Sequence, residues 1–278
     1  MFSYRRTPQS SSMTGSPEDL SSLKTADHYR FLAKNYDYFY KETKEAETNV
    51  LLKYFNVQPH HTVVDIGSGT GFLAERLFER SELKNPVWCV DPSAEMQEEA
   101  KKKKGVFPVQ KPADEFLDES ALDQCFDRAM CIATPHHFAD AVKIYRGVES
   151  ILSPGGVFLV MEARGFTFPW FTKVENRMGT FFGERKEITS ACLRLTKFDV
   201  EVTEENIDFK VTKSKWYHML RGRFNSNLTE FTDQEIEEGI DELERGKLED
   251  LKPQDDISIS CTLLVFIARK KSNSTVNV

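Results

Sequence analysis

Residues 63–72 read Val63-Val64-Asp65-Ile66-Gly67-Ser68-Gly69-Thr70-Gly71-Phe72. A short β-branched run ends here at a cluster of glycines, and Leu73, Leu77 and Phe78 follow it at helical spacing. This pattern predicts a strand, a tight turn and then a helix. Glycines at such a junction allow the backbone to turn sharply and to come close to a ligand.

The spacing of these glycines argues against two common phosphate-binding sites. The dinucleotide fingerprint G-x-G-x-x-G/A requires a small residue at position 72, where this chain has Phe72. A Walker-type loop requires Gly-Lys-Ser/Thr, which does not follow. Asp65 stands just before the turn. Its carboxylate would repel a pyrophosphate but attract the amino group of a ligand, directly or through water.

A second acid follows the next apolar run. Asp91 closes the predicted strand Val87–Val90 and lies 20 residues after Gly71. An acid in this place can accept hydrogen bonds from both hydroxyls of a ribose. The two acids together describe a ligand with a nucleoside, an amino-acid-like end and no phosphate. S-adenosylmethionine has these features.

The chain on either side of this stretch alternates between strands and helices. Short apolar runs at 106–109, 126–132 and 156–161 predict further strands. Helical patterns cover 25 to about 54 and 139–152. This alternation predicts a mostly parallel sheet that is covered by helices on both faces.

The pattern changes after Glu162. Residues 198–202 and 207–211 alternate as strands, and Thr232-Asp233-Gln234-Glu235 is a capping box flanked by a hydrophobic staple. Residues 257–263 alternate between apolar and small polar side chains, which predicts a last, half-covered strand. Because no helical crossover follows it, we expect this strand to be antiparallel and at or near the sheet edge.

Composition excludes several classes of protein. Of 278 residues, 40% are hydrophobic and 29% are charged, which is typical of a globular chain with one large or two smaller domains. The net charge of −7 disfavours nucleic acid as a partner. The longest apolar run, Leu263–Ala268, is far shorter than the ~20 residues that span a bilayer. The five cysteines include no CxxC pair, which favours reduced thiols and argues against a zinc site.

The two ends of the chain are expected to be disordered tails, at 1–22 and 271–278, around a single domain at 23–270. Residues 1–22 lack the apolar core of a secretory signal, so we expect a cytoplasmic protein. A mitochondrial transit peptide is the minor alternative, because the first residues are rich in serine and contain two arginines. The domain divides into N-terminal helices (23–56), a cofactor-binding core (57–163), a substrate-side cap (164–250) and a final strand (251–270).

The first motif, Asp65 to Gly71, resembles that of the class I S-adenosylmethionine-dependent methyltransferases. The chain is similar in particular to the type 11 small-molecule group, which is related to quinone-biosynthesis and trans-aconitate methyltransferases. The similarity covers roughly residues 25–270. The other segments that carry it are Val90–Met96, Ala113-Asp114, His136-His137-Phe138, Leu152–Gly156 and Arg221-Gly222-Arg223.

This resemblance implies an α/β, Rossmann-like, doubly wound fold. The expected sheet has seven mostly parallel strands with an antiparallel last strand, joined by N-terminal helices and a helical cap. The resemblance also implies S-adenosylmethionine as cofactor, S-adenosylhomocysteine as product and no metal. The residues implied to bind the cofactor are Asp65, Gly67, Gly69, Gly71, Asp91, Met96, Ala113, Asp114, Cys131 and Ile132.

The resemblance implies a role for each of these residues. The glycines would line the methionine moiety, with Asp65 near its amino group, and Asp91 would hold the ribose. Met96 would pack on the adenine, while Asp114 and the Ala113 amide would read the adenine edge. The backbone of Cys131 and Ile132 would contact the methionine end. Two simpler interpretations stay open, because Met96 also fits a core position and Asp114 also fits a helix cap.

The candidate catalytic residues are His136, His137 and Arg223. The histidines follow the carboxyl end of a predicted strand, where one would meet substrate and the other would bond backbone. Arg223 and its neighbour Arg221 would either clamp a carboxylate or pair with surface acids.

Four aromatic residues are candidates for a lid over the substrate pocket, namely Tyr29, Tyr36, Trp170 and Trp216. Core packing is the alternative for each of them.

The sequence offers no clear general base. Residues Ala133-Thr134-Pro135-His136 depart from the Asn/Asp-Pro-Pro-Tyr motif of methyltransferases that act on amino groups of nucleic acids or protein glutamine. The acceptor should therefore need little activation, as a thiol or sulfide or the carboxylate of an organic acid does. The alternatives are a non-catalytic regulatory subunit and a quinone-type C-methyltransferase. We expect a small-molecule partner, no membrane span, and a monomer or homodimer.

Overall fold

The computed structural model describes residues 25–118, 125–178 and 185–271. Within these ranges the strands are β1 (Val63–Ile66), β2 (Val87–Val90), β3 (Val106–Val109), β4 (Phe126–Ile132), β5 (Leu152–Phe166), β6 (Asp199–Thr212) and β7 (Asp256–Arg269). The helices are α1 (Thr25–Phe55), α2 (Phe72–Arg80), α3 (Ala94–Ala100), α4 (Ala113–Asp118), α5 (Ala141–Ile151), α6 (Thr172–Met178), α7 (Arg185–Arg194), α8 (Lys213–Arg221) and α9 (Asp233–Glu244).

The strands form one seven-stranded sheet in the order β3-β2-β1-β4-β5-β7-β6. The pairs among β1 to β5 are parallel, whereas β7 runs antiparallel to both β5 and β6. The expected fold class, including the antiparallel last strand near the sheet edge, is confirmed. The chain leaves β1 toward β3 and returns on the other side at β4. This reversal opens a crevice at the carboxyl ends of the strands.

Two of the predicted boundaries differ in the structure. The two predicted strands at 198–202 and 207–211 form one strand, β6, because β7 pairs with it from Asp199 to Thr212. The predicted N-terminal helices form one 31-residue helix, α1. Most of both predicted tails lies outside the described residues.

Two apolar clusters cover the two faces of the sheet. The first includes side chains of α1, α2, α8 and α9, and the second includes side chains of α4 and α5. This arrangement agrees with the helices expected on both sides of a parallel sheet. In the described ranges no helix has the length and apolar character needed to cross a membrane.

The capping box is present at the start of α9. The Thr232 side chain accepts a hydrogen bond from the Glu235 amide, and Glu235 Oε2 accepts one from the Thr232 amide at 3.0 Å. Phe231 and Ile236, which form the predicted staple, are both buried. Local residues therefore determine where this helix begins.

We expect Thr232→Ala to lower the free energy of unfolding by about 1 kcal/mol, because an amide at the start of α9 loses its acceptor. Urea denaturation measures this change. Thr232→Ser keeps the hydroxyl and should retain most of the stability. Equal unfolding midpoints for wild type and Thr232→Ala would contradict this role of the cap.

Candidate functional site

A cavity of about 900 Å³ lies at the carboxyl ends of β1, β2, β3 and β4. Helix α1 supplies part of its wall through Tyr29, Tyr36 and Lys44. Because parallel strands end at the same edge of a sheet, residues far apart in the chain meet here.

The glycine turn between β1 and α2 has a left-handed backbone. Gly67, Gly69 and Gly71 have φ angles of 77°, 54° and 73°. A Cβ atom on Gly67 would lie 2.1 Å from Thr134 Cγ2, so a larger residue does not fit there. At Gly69 the nearest atom to such a Cβ is Met96 Sδ at 4.0 Å. Gly69 therefore leaves room on the cavity side of the turn.

Asp91 joins this turn to the next helix. Its Oδ2 accepts a hydrogen bond from the Gly69 amide and its Oδ1 accepts one from the Ser93 amide, both at 2.9 Å. Burial raises the pKa of Asp91, and the two amide bonds act against that rise. Each carboxylate oxygen has a second lone pair, so Asp91 can still accept hydrogen bonds from a ligand in the cavity.

Asp65 is buried at the inner end of the cavity, with 3% of its surface exposed. Burial raises the pKa of Asp65 to about 7, while the positive charge of Lys44 lowers it and the negative charge of Asp91 raises it further. A carboxylate in this position is stabilised by a ligand that carries a positive charge.

Polar contacts fasten α1 to the glycine turn. The Thr70 hydroxyl donates a hydrogen bond to Asp37, and Asp37 also pairs with Lys103. Closer to the start of α1, Arg30 Nε lies 2.8 Å from Glu95 Oε1. These contacts hold α1 against the turn and against α3.

Aromatic and imidazole rings from α1 and the loop after β4 occupy another part of the cavity wall. The ring of Tyr29 lies 5.4 Å from that of His137 and 6.4 Å from that of Tyr36, measured between centroids. Burial raises the pKa of Tyr36, and nearby acids and Tyr29 raise it further. Tyr36 therefore stays protonated and can donate a hydrogen bond.

The cavity brings together most of the residues that the sequence singled out. The proposed cofactor residues that line it are Asp65, Gly67, Gly69, Asp91, Met96, Ala113, Asp114 and Ile132. The proposed substrate-side residues that line it are Tyr29, Tyr36 and His137. Met96 is at once a cavity residue and a buried one, so the two interpretations of Met96 are compatible.

Three other candidates lie outside the cavity wall. Cys131 is fully buried in the second apolar cluster, because neighbouring residues of β4 point to opposite faces of the sheet. A Cβ atom on Gly71 would lie 3.4 Å from Val106 Cγ1. His136 is exposed and its ring lies 4.0 Å from that of His137, which alone of the two lines the cavity.

The arginine candidates need a correction. Arg223 is buried and donates to the Phe231 carbonyl and to Asp233 at 2.6 Å, so it fixes the connection between α8 and α9. Arg221 forms a two-pronged ion pair with Glu237, at 2.6 and 2.8 Å. Both guanidinium groups are thus paired with protein groups, and neither arginine lines the cavity.

The two tryptophan candidates also need a correction. Trp216 is fully buried and stacks on Phe168 with the ring centroids 4.8 Å apart. Trp170 stacks on Phe224 at 5.8 Å. Both belong to the first apolar cluster, so the core-packing alternative holds and neither lines the cavity.

Sequence reasoning missed several cavity residues, namely Arg30, Lys44, Thr134 and Lys143. The sequence does carry a signal for Lys44, since Lys44 and Glu47 fall between Tyr40 and Leu51 at the three- and four-residue spacing of one helix face. In the part of the chain that the structure describes, no group of three or more histidine, cysteine or acidic side chains is placed to hold a metal ion.

Comparison with known proteins identifies relatives of the chain. A family model described as a methyltransferase domain matches residues 58–223. An uncharacterised protein of Methanocaldococcus jannaschii is 28% identical over 163 residues, which are 55% of this chain and 60% of that protein. The match thus spans less than two thirds of the relative.

Two solved structures illustrate the likeness in fold. The YcgJ protein of Bacillus subtilis is 18% identical with a TM-score of 0.52, and the match covers 82% of this chain and all of that one. Phosphoethanolamine N-methyltransferase 2 of Haemonchus contortus, solved with phosphomonomethylethanolamine and S-adenosylhomocysteine, is 16% identical with a TM-score of 0.55. That match covers 93% of this chain and 61% of the other. At these identities the likeness shows a shared fold.

We expect Asp65→Asn to stabilise the ligand-free protein at pH 8 but not at pH 4. The folded protein holds the Asp65 proton more tightly than the unfolded chain does, since its pKa is raised to about 7. The stability that this group contributes is therefore present at low pH and is lost as the pH rises through about 7. Thermal melting at the two pH values measures the difference, which should reach several degrees.

The exposed Asp250 provides a matched control, because Asp250→Asn should shift the melting temperature little at either pH. If Asp65→Asn gave the same shift at pH 4 and pH 8, the buried carboxylate would not be the source of the effect.

Proposed function

The chain belongs to the methyltransferase domain family, and we propose that it transfers the methyl group of S-adenosylmethionine to a small-molecule nucleophile. The family match confirms the methyltransferase expected from the first motif. S-adenosylmethionine is the methyl donor. One observation carries the proposal. Two acids, Asp65 and Asp91, lie beside the same glycine turn and line the same cavity. The type 11 subgroup stays a prediction.

The cavity residues match the parts of this cofactor. Asp65 would neutralise the amino group, and Asp91 would accept the ribose hydroxyls with the lone pairs that Gly69 and Ser93 leave open. Met96 and the start of α4 would enclose the adenine. A cofactor held at both ends has its sulfonium fixed between them, which favours alignment with an acceptor.

The cofactor supplies an electrophilic methyl group. When bound in this cavity, S-adenosylmethionine would supply that methyl group to the lone pair of an acceptor and would be left as S-adenosylhomocysteine. The protein contributes mainly alignment and a dry site, which together can be worth ~7–11 kcal/mol.

The acceptor side of the cavity supplies groups that orient a substrate. Tyr36 stays protonated because its pKa is raised, so it serves as a donor, and His137 and Tyr29 lie against each other nearby. Such a wall suits an acceptor that is already a good nucleophile. We therefore propose a small thiol or sulfide, or the carboxylate of an organic acid, as the methyl acceptor.

A panel assay tests the proposal. Methyl transfer from labelled S-adenosylmethionine is measured on thiols, organic acids, phenols and amines, with the cofactor saturating so that the ionisation of Asp65 does not limit the rate. For a thiol the rate should rise with pH toward the thiol pKa of about 8.5. For a carboxylate it should stay flat from about pH 6 to 8. Transfer to none of these classes would contradict a small-molecule methyltransferase of this kind.

We expect Asp91→Ala to weaken binding of S-adenosylhomocysteine by about ten- to a hundred-fold, the range for hydrogen bonds to a charged group. The loss has two sources, the ribose contacts and the bond that fixes the Gly69 amide. Isothermal titration calorimetry measures it, and NADH serves as a ligand that should not bind. Unchanged affinity would mean that Asp91 does not contact the cofactor.

His137 and His136 form a matched pair for testing the acceptor side, because both are exposed but only His137 lines the cavity. We expect His137→Ala to lower kcat/KM for the acceptor by about ten-fold or more, since a positioned hydrogen bond is lost. Affinity for S-adenosylhomocysteine should change little. His136→Ala should leave both quantities close to wild type. Equal effects of the two substitutions would contradict this assignment.

A further inference from the structure

Lys44 is a buried lysine that faces the cavity. Only 7% of its surface is exposed, and its ammonium lies 3.0 Å from Glu47 Oε2, one turn further along α1. Lysine is rarely buried in proteins unless its charge is paired. Glu47 is itself buried, with 4% exposed.

The ion pair with Glu47 leaves the bonding capacity of Lys44 incomplete. An ammonium group has three donors. The two other buried lysines are held by protein groups: Lys213 donates to the carbonyls of Leu248 and Leu251 and pairs with Glu244, and Lys215 pairs with Glu42 and lies over the ring of Tyr38. For Lys44, the described residues provide one partner, Glu47. The remaining donors of Lys44 are available to a ligand in the cavity.

Lys44 and Asp65 place opposite charges at the same end of the cavity. Both side chains are buried, both line the wall, and the charge of Lys44 acts on the carboxyl of Asp65. A surface made of one cation and one anion is complementary to a zwitterion, in which an ammonium and a carboxylate are carried on one carbon. The amino-acid end of S-adenosylmethionine is such a group.

We propose that Lys44 binds the α-carboxylate of S-adenosylmethionine, so that Lys44 and Asp65 together recognise the zwitterionic end of the cofactor. The inference rests on the proposed function. Along this end of the cavity the charges then alternate in sign, from Glu47 to Lys44, the ligand carboxylate, the ligand ammonium and Asp65. Alternation offsets the cost of burying each charge.

The experiment compares two ligands on two proteins. The ligands are S-adenosylhomocysteine and its analogue that lacks only the α-carboxylate, and the proteins are wild type and Lys44→Met. We expect Lys44→Met to weaken S-adenosylhomocysteine about ten- to a hundred-fold, as for loss of a charge-assisted hydrogen bond. Affinity for the decarboxylated analogue should stay within a few-fold. Titration calorimetry gives all four dissociation constants.

Lys53→Met is the matched control, because Lys53 lies on the same helix but is exposed and pairs with Glu205. It should leave both affinities unchanged. Lys44→Arg keeps the charge and should retain most of the preference for the carboxylate. If Lys44→Met does not fold, Lys44→Gln takes its place with the same expected result, and wild type must in either case bind S-adenosylhomocysteine at least about ten-fold more tightly than the decarboxylated analogue.

Three results would overturn the proposal. Equal weakening of both ligands by Lys44→Met would indicate a purely structural role. Unchanged affinity for S-adenosylhomocysteine, with a raised KM for the acceptor, would assign Lys44 to an anionic acceptor. Equal binding of both ligands by wild type would remove the carboxylate site altogether. Failure of the proposed function is a different outcome, in which wild type binds neither ligand.

Discussion

The carboxylate of Asp91 fixes the geometry on which the site depends. It accepts the amide of Gly69 from the turn after β1 and the amide of Ser93 at the start of α3, so one side chain joins two strand–helix units. The left-handed glycines can follow this path because they have no Cβ, and Thr134 fills the space beside Gly67. The same acid faces the cavity. The shape of the turn and the proposed recognition of a ribose therefore both depend on the Asp91 carboxylate.

Helix α1 completes the site at a cost in stability. Its buried face carries Lys44 and Glu47, the charge of Lys44 acts on Asp65, and buried charges are rarely the most stable arrangement for a protein interior. The cost is partly offset because α1 is anchored elsewhere, through Asp37 to Thr70 and Lys103 and through the apolar positions Leu51 and Phe55. An interior built for packing alone would have apolar residues at 44, 47 and 65. The charges are better explained by a charged ligand than by folding.

Local sequence predicted the features that local interactions determine. The bounds of β2, β3 and β4 agree with the apolar runs, and the predicted cap Thr232 accepts a hydrogen bond from the amide of Glu235, three residues away. For Arg223 and Trp216 the alternatives that the sequence left open hold, because their partners lie elsewhere in the chain, at Asp233 and at Phe168. An arginine that pairs with protein and one that pairs with ligand look alike in a sequence. Lys44 shows the opposite case, a charged residue that faces the cavity although its position on a long helix predicts exposure to solvent.

The two halves of the cavity are built differently, and this difference bears on specificity. The cofactor half consists of turns at strand ends, where backbone amides and the Asp91 carboxylate are held by hydrogen bonds. The proposed acceptor half consists of Tyr29 and Tyr36 of α1 and of His137 in the short 3₁₀ turn Pro135–His137, whereas Lys44 of α1 lies with the proposed cofactor half. Replacing Tyr29 or His137 changes the shape and polarity of that wall without touching the bonds that fix the glycine turn. Acceptor choice can thus vary on an unchanged cofactor site, which is why the cofactor could be inferred from the sequence while the acceptor must be found by assay.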